Sequence, residues 1–196
     1  MNEREAEIPW FLSKLKKGSV LDGGSLESTY IKNLLERGHK VIRNDTRAFS
    51  CPFGTKVVIK DIFKLKSETL GKFDNVLLVS TLEHIGLKAY KNKASKNPLR
   101  KQNEALRHCF QFLKKGGKLL CTLPYGKFEN GGWYFIYDEK MVNSLINGLN
   151  LKSKTYFTLS KEKKNYRECL QEEVPLVGWD KYHCRSVSVV CLEFMG

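Results

Sequence analysis

Short continuous apolar runs alternate along this chain with stretches in which apolar residues recur at helical spacing, and four successive runs end on an acid or a small hydroxyl. Phe73 to Val79 (FDNVLLV) is the plainest of these runs and is too short for a helix. Runs of this kind are strands buried on both faces, an environment that arises when helices cover both sides of a parallel sheet. The pattern therefore predicts one doubly wound α/β sheet.

The strands read as Ser19 to Leu21, Lys40 to Asn44, Lys56 to Ile59, Phe73 to Val79, and the KLLCTL run that stops at Pro124. Ile8, Phe11, Leu12 and Leu15 mark a helix over about residues 8–17. Tyr30, Ile31, Leu34 and Leu35 mark another from Ser28 to Arg37, stopped by Gly38. Leu99, Leu106, Phe110 and Leu113 carry a long helix that KKGG ends. Asp138 caps a helix bearing Met141, Val142, Leu145 and Ile146, with Gly148 as its stop. Leu151 to Leu159 and Ser186 to Phe194, joined by a long polar segment, are expected to pair antiparallel. With 196 residues and no repeat, low-complexity tract or linker, the chain reads as a single domain.

A ligand of such a sheet lies beyond the carboxyl ends of the strands, where strand order reverses. There the chain places Asp22 with Gly23 and Gly24, then Asp45, Asp61, and Ser80 with Thr81. Gly24 lets the backbone approach a ligand without a side-chain clash. Leu26 and Ser28 stand where a dinucleotide fingerprint has two further glycines, so a pyrophosphate would lose close contact. The carboxylate of an amino acid needs fewer glycines and suits Gly24, Ser25 and the amides near Ser28. An ordinary strand-to-helix turn accounts for the stretch equally well. Asp45, about 20 residues past the glycine turn, stands where a carboxylate accepts both hydroxyls of a ribose. Asp61, one strand further out, can accept a hydrogen bond from an exocyclic amine and so select adenine. Any one of these acids could instead be a turn or cap residue, but three in register at three strand ends point to a ligand.

The formal charge of +13 admits an anionic partner, nucleic acid included. Yet 26 of the 34 basic residues are lysine, which lacks the planar fork that reads phosphates and guanines. Cys51, Cys109, Cys121, Cys169, Cys184 and Cys191 are scattered singly and read as reduced thiols rather than zinc or redox pairs. His183 and Cys184 could join Cys169 around a metal, but no fourth ligand stands at a sensible spacing, and no metal is expected. No apolar run approaches the roughly 20 residues of a bilayer helix, and nothing resembles a secretory signal. A cytoplasmic protein without membrane insertion is the expectation.

Taken together, VLDGGSLES, VIRNDTR, IKDIF, NVLLVSTLEHIGLKAY, LKKGGKLLCTLPYGK and GGWYFIYDEKMV resemble, in order and spacing, the class I S-adenosylmethionine-dependent methyltransferases. They are most similar to a prokaryotic group whose fourth strand runs into S-T-x-E-H-I-G-x-x-x-Y and whose fifth ends in P-Y-G. The likeness spans about Gly18 to Met141. It implies a Rossmann-like seven-stranded sheet of order 3-2-1-4-5-7-6 with the last strand antiparallel. It further implies a cofactor half at about 18–85 and an acceptor half at about 86–196. By position, Asp22, Gly23 and Gly24 would contact the methionyl part of S-adenosyl-L-methionine, Asp45 the ribose hydroxyls, Asp61 and Ile62 the adenine, and Ser80 the sulfonium. Leu26 and Ser28 depart from the family's glycines.

Transfer of a methyl group to a hydroxyl or amine requires the nucleophile to lose a proton, hence a base near it. STLEHIG puts His84 just beyond the fourth strand as base or orienting group, unless it merely caps a turn; Glu83 would orient it, hold a cation or form an internal ion pair. Tyr90, Pro124, Tyr125 and Gly126 read as the acceptor wall and Gly131, Gly132 and Trp133 as a lid. Lys88, Lys91, Lys93, Lys96, Arg100 and Lys101 form either a solvated face or a clamp for an anionic acceptor. The expected acceptor is a small molecule or saccharide, methylated on oxygen or nitrogen by a monomer or homodimer. An RNA methyltransferase is the first rival, although arginine-rich and N-P-P-Y-type tracts are lacking, and a non-catalytic cofactor-binding scaffold is the second.

Overall fold

The computed structural model describes residues 2–50, 53–89, 94–160, 162, 165–180 and 185–196. Its helices are α1 Arg4–Lys14, α2 Ile31–Glu36, α3 Ser67–Leu70, α4 Pro98–Cys109 and α5 Glu139–Ile146. The strands of the first half are β1 Ser19–Gly23, β2 Lys40–Asp45, β3 Lys56–Ile59, β4 Phe73–Val79 and β5 Leu113–Tyr125. Then come β6 Glu129–Asn130, β7 Phe135–Ile136, β8 Leu151–Leu159, β9 Tyr166–Cys169, β10 Trp179–Asp180, β11 Arg185–Ser186 and β12 Ser188–Met195.

Eight strands form the main sheet in the order β3-β2-β1-β4-β5-β12-β8-β9. The first five run parallel, and β12 lies antiparallel between β5 and β8. This is the implied doubly wound order, with the pairing expected of the last two long strands. The strand count is corrected from seven to eight, because Tyr166–Cys169 adds β9 to the free side of β8. Its sequence, YREC, is short and half charged, so it carries no apolar run. Tyr166 nevertheless packs on the cluster beneath α1, which fixes the strand in place.

Alternation along the strands divides the core into two layers. Val76 and Leu78 of β4, with Leu119 and Cys121 of β5, face α4 and α5 through Leu106, Val142 and Leu145. Leu77 and Val79, with Leu120, face α1 and α2 through Trp10, Phe11, Ile31 and Leu34. Residues of opposite parity thus fill opposite layers, each fully buried Leu contributing about 1.5–3 kcal/mol.

Three boundaries differ from the sequence reading. The first helix occupies Arg4–Lys14, not 8–17, because Glu7 is buried against the end of the sheet instead of facing water. The second starts at Ile31, since the hydroxyls of Ser25, Ser28 and Tyr30 all turn back to Asp22. The fifth strand begins at Leu113, opposite Phe73, and shifts register before Lys118, so KKGG lies within it. Among the described residues no helix is long and apolar enough to cross a membrane.

Candidate active site

At the carboxyl ends of β1 to β5, a cavity of about 440 Å³ opens beside the switch in strand order between β1 and β4. Its volume suits a small-molecule site. Gly24, Asp45, Asp61, Ile62, Ser80, Glu83, His84, Pro124 and Trp133 of the sequence reading all line it.

The turn after β1 explains why Gly24 reaches the cavity while its neighbours do not. Gly24 has φ +76°, and a Cβ there would sit 2.5 Å from Thr81 Oγ1. Thr81 has little room to move, since its hydroxyl donates to the carbonyls of Gly23 and Val79 at 3.1 Å. Asp22 is fully buried below the turn and accepts from Ser25, from Ser28 at 2.8 Å and from Tyr30 at 2.7 Å. Burial raises its pKa, while these hydroxyls and the nearby Arg43 charge oppose the rise. Arg43 in turn donates to the Ser25 hydroxyl at 2.9 Å and the Ser25 carbonyl at 2.7 Å. Asp22, Gly23 and Ser25 therefore support the turn from beneath and do not line the cavity. The two positions that lack glycine are also occupied structurally: the Leu26 amide donates to Asp45, and the Ser28 hydroxyl to Asp22.

Asp45 ends β2 with its carboxylate facing inward. Oδ1 accepts from the Arg47 amide at 3.0 Å and from Arg47 Nε at 3.1 Å, and Oδ2 from the Leu26 amide at 3.1 Å. Burial alone would raise its pKa, but the Arg47 side chain and these amides outweigh it and hold the carboxyl below its usual value. Asp61 caps the short turn Ile62–Lys64 by accepting from the Phe63 amide at 3.0 Å. Ile62 and Phe63 supply an apolar wall there, with Lys101 Nζ 3.8 Å from the Phe63 ring centre.

The opposite end is built around β4. Ser80 has φ +43°, an unusual value for a residue with a side chain, and its hydroxyl donates to Glu7 at 2.6 Å. Thr122 donates to the same Glu7 oxygen at 2.7 Å and receives the Ser80 amide at 3.0 Å. Arg4 closes the knot by donating to the other Glu7 oxygen at 2.6 Å. Glu3 and Arg4 line the cavity, so α1 contributes to the site. Neither they nor Glu7 were singled out from the sequence, although two acids at i and i+4 before an apolar face are visible there.

His84 Nδ1 donates to the Trp133 carbonyl at 2.7 Å, which leaves the lone pair on Nε2. Its ring stacks on the Trp133 indole, with centroids 5.2 Å apart and planes within 5°. Burial lowers its pKa from 6.5, favouring the neutral ring. Glu83 Oε1 lies 3.9 Å from His84 Nε2. Burial pushes the Glu83 pKa well up, with the Glu7 charge adding to the rise. The native state therefore holds this proton more tightly than the unfolded chain above pH 4.5, and stability falls as pH climbs from there through the folded-state pKa. Glu83→Gln is expected to melt higher than the parent at pH 8, by about 1–3 kcal/mol, and to lose that slope. Thermal melts at pH 5 and pH 8 check this, and a parent that melts as high as the variant at pH 8 would contradict it.

Tyr125 turns away from the cavity into the core, donating to Glu139 at 2.9 Å. Gly126 lies behind the wall, where a Cβ would meet the Val177 carbonyl at 2.2 Å. Tyr90, Lys91, Lys93, Cys51, His183 and Cys184 lie outside the described residues. Lys88 and Lys96 are exposed and Arg100 pairs with Glu104 at 3.0 Å, while Lys101 reaches the cavity. Cys109, Cys121 and Cys191 are buried thiols. Among the described residues no group of three or more His, Cys, Asp and Glu side chains is arranged to hold a metal.

No protein-family model matches the chain, and no curated protein matches it in sequence. Solved structures do. A S-adenosylmethionine-dependent methyltransferase from Archaeoglobus fulgidus has a TM-score of 0.63 at 14% identity, covering 98% of this chain and 92% of its own. The N-methyltransferase NodS from Bradyrhizobium japonicum, bound to S-adenosyl-L-homocysteine, has a TM-score of 0.60 at 12% identity, covering 99% and 87%. The 1,6-didemethyltoxoflavin-N1-methyltransferase from Burkholderia thailandensis has a TM-score of 0.61 at 15% identity, covering 97% and 75%. The chain thus has the Rossmann-like methyltransferase fold.

Proposed function

We propose that this protein is an S-adenosylmethionine-dependent methyltransferase acting on an oxygen or nitrogen of a small-molecule acceptor. The observation that carries this reading is one cavity into which the ends of β3, β2, β1 and β4 deliver Asp61, Asp45, Gly24 and Ser80 in sheet order. These residues suit the cofactor. At Gly24 the backbone can approach an amino-acid moiety at a point that any side chain would fill. Asp45 is held ionised, with Arg47 and the Leu26 amide on the two oxygens that would accept ribose hydroxyls. Ile62 and Phe63 offer a flat apolar wall to adenine beside the Asp61 carboxylate.

Bound there, the cofactor would supply an electrophilic methyl group. Around it the chain's own residues position and desolvate the acceptor. Glu7 fixes the left-handed Ser80 at the end of β4, Pro124 and Trp133 wall off water, and His84 presents its Nε2 lone pair to the acceptor's N–H or O–H. The fold and the bound cofactor or product of similar structures support the reading. Equilibrium dialysis with radiolabelled S-adenosylmethionine tests it. Saturable uptake is expected, and Asp45→Ala should weaken it about 10–100-fold by removing charge-assisted hydrogen bonds while the far-UV spectrum is kept. No uptake by folded protein, or uptake indifferent to Asp45, would refute it.

A further inference from the structure

Two carboxyl groups at the β4 end of the cavity have an oxygen without a donor among the described residues. Glu83 is 2% exposed and lines the cavity, yet its Oε2 has no hydrogen-bond partner among the described residues. Glu3 Oε2, also on the cavity wall, is buried and equally unpartnered among them. Arg4, a cation on this wall, is bonded to Glu7 at 2.6 Å, and Arg47 and Lys101 also line the cavity. A buried carboxylate oxygen left without a donor is costly, and native proteins rarely keep one without a use.

Aromatic rings share the cavity lining with the two carboxyl groups. Trp133 stacks on His84 and meets Tyr134 edge-to-face at 5.0 Å, and both Trp133 and Tyr134 line the cavity. Carboxylates flanked by indole and phenol rings attract a cation through charge and ring quadrupole together. An alcohol brings one donor and could satisfy only one of Glu3 and Glu83. An ionised acid brings no donor to either glutamate. An ammonium ion brings up to three donors and a positive charge, enough to reach both glutamates at once.

We propose that the acceptor is an amine, held as its ammonium ion between Glu83 and Glu3 and against Trp133; the proposal rests on the methyltransferase reading above. The ammonium charge drives the Glu83 proton out to water on binding; the carboxylate then takes one N–H proton, becoming the neutral acid again, and the nitrogen regains its lone pair. His84 Nε2 accepts a second N–H and aims the nitrogen. The lone pair forms the new N–C bond to the methyl group as the C–S bond breaks, its electron pair returning to sulfur. The sulfonium becomes a neutral thioether, the product leaves as a methylated ammonium, and Glu83 keeps its proton until the next ammonium binds.

The experiment begins with donor uptake by the intact protein, measured by dialysis. A panel of small primary and secondary amines, each paired with the alcohol and the carboxylate of the same skeleton, is then incubated with methyl-labelled S-adenosylmethionine. Label is expected on at least one amine and on none of its paired alcohols or acids. With that amine, Glu83→Gln should lower kcat/KM about 100-fold and Glu83→Asp less, the donor dissociation constant staying within about threefold. Retained donor with label on an alcohol or acid, with no amine labelled, or with Glu83→Gln as active as the parent, overturns the amine assignment alone. Failure to retain the donor overturns the methyltransferase reading, and the amine assignment with it.

Discussion

Gly24→Ala is expected to lower the melting temperature by about 5–15 °C and to weaken S-adenosylmethionine uptake by about 100-fold or more. Two costs combine. The backbone there has φ +76°, which an L side chain adopts at a cost of about 1–2 kcal/mol. The added Cβ would also lie 2.5 Å from Thr81 Oγ1 and 2.6 Å from Thr81 Cγ2, an overlap costing about 1–3 kcal/mol to relieve. Relief would have to displace either the Thr81 hydroxyl, which is bonded to the Gly23 and Val79 carbonyls, or the turn itself. The double variant with Thr81→Ala separates the two costs, because it removes both overlapping atoms and leaves the backbone strain. It should recover part of the melting temperature, and full additivity of the two single changes would show that the side chains do not collide.

Glu7→Ala is expected to cost about 3–5 kcal/mol in denaturant unfolding at pH 7. Glu7 is completely buried and receives Arg4, Ser80 and Thr122, three donors from α1, the end of β4 and β5. Alanine would strand the Arg4 guanidinium and two hydroxyls at once. Glu7→Gln should lose less, since one carbonyl oxygen still accepts from Ser80 and Thr122, although its amide group then meets Arg4 donor to donor. A loss below about 1 kcal/mol for the alanine variant would mean that water replaces the knot. Both variants should also impair turnover, because Ser80 keeps its left-handed backbone through these bonds.

Much of this architecture is legible before any coordinates. The parity of Val76, Leu77, Leu78 and Val79 requires two core layers, and acids closing successive strands locate the cavity. What escapes is depth. Asp22 and Asp45 both stand at strand ends, yet Asp22 is sealed under Ser25, Ser28 and Tyr30 while Asp45 faces inward to Arg47. In register Asp22 pairs with Arg43, so Asp45 lies on the same face two residues further out, past the turn that seals Asp22. Glu3, Arg4 and Glu7 escape for another reason. Charged residues in a first helical turn read as a solvated end, and only the docking of α1 across the sheet carries them inside. Tyr125 and Gly126 follow Pro124 directly, but the chain has turned toward Tyr137 and Val177 by then, so a three-residue motif divides between cavity and core.

The eighth strand bears on how copies of this protein behave when crowded. A sheet ending at β8 would offer nine residues of unpaired backbone, a template on which another chain could add itself. Instead β9 covers part of that border with four residues, two of them charged, and β3 ends the opposite side after four more, the first of them Lys56. Borders this short and this charged make poor seeds for stacking sheet upon sheet, which favours a chain that stays dispersed in its folded form.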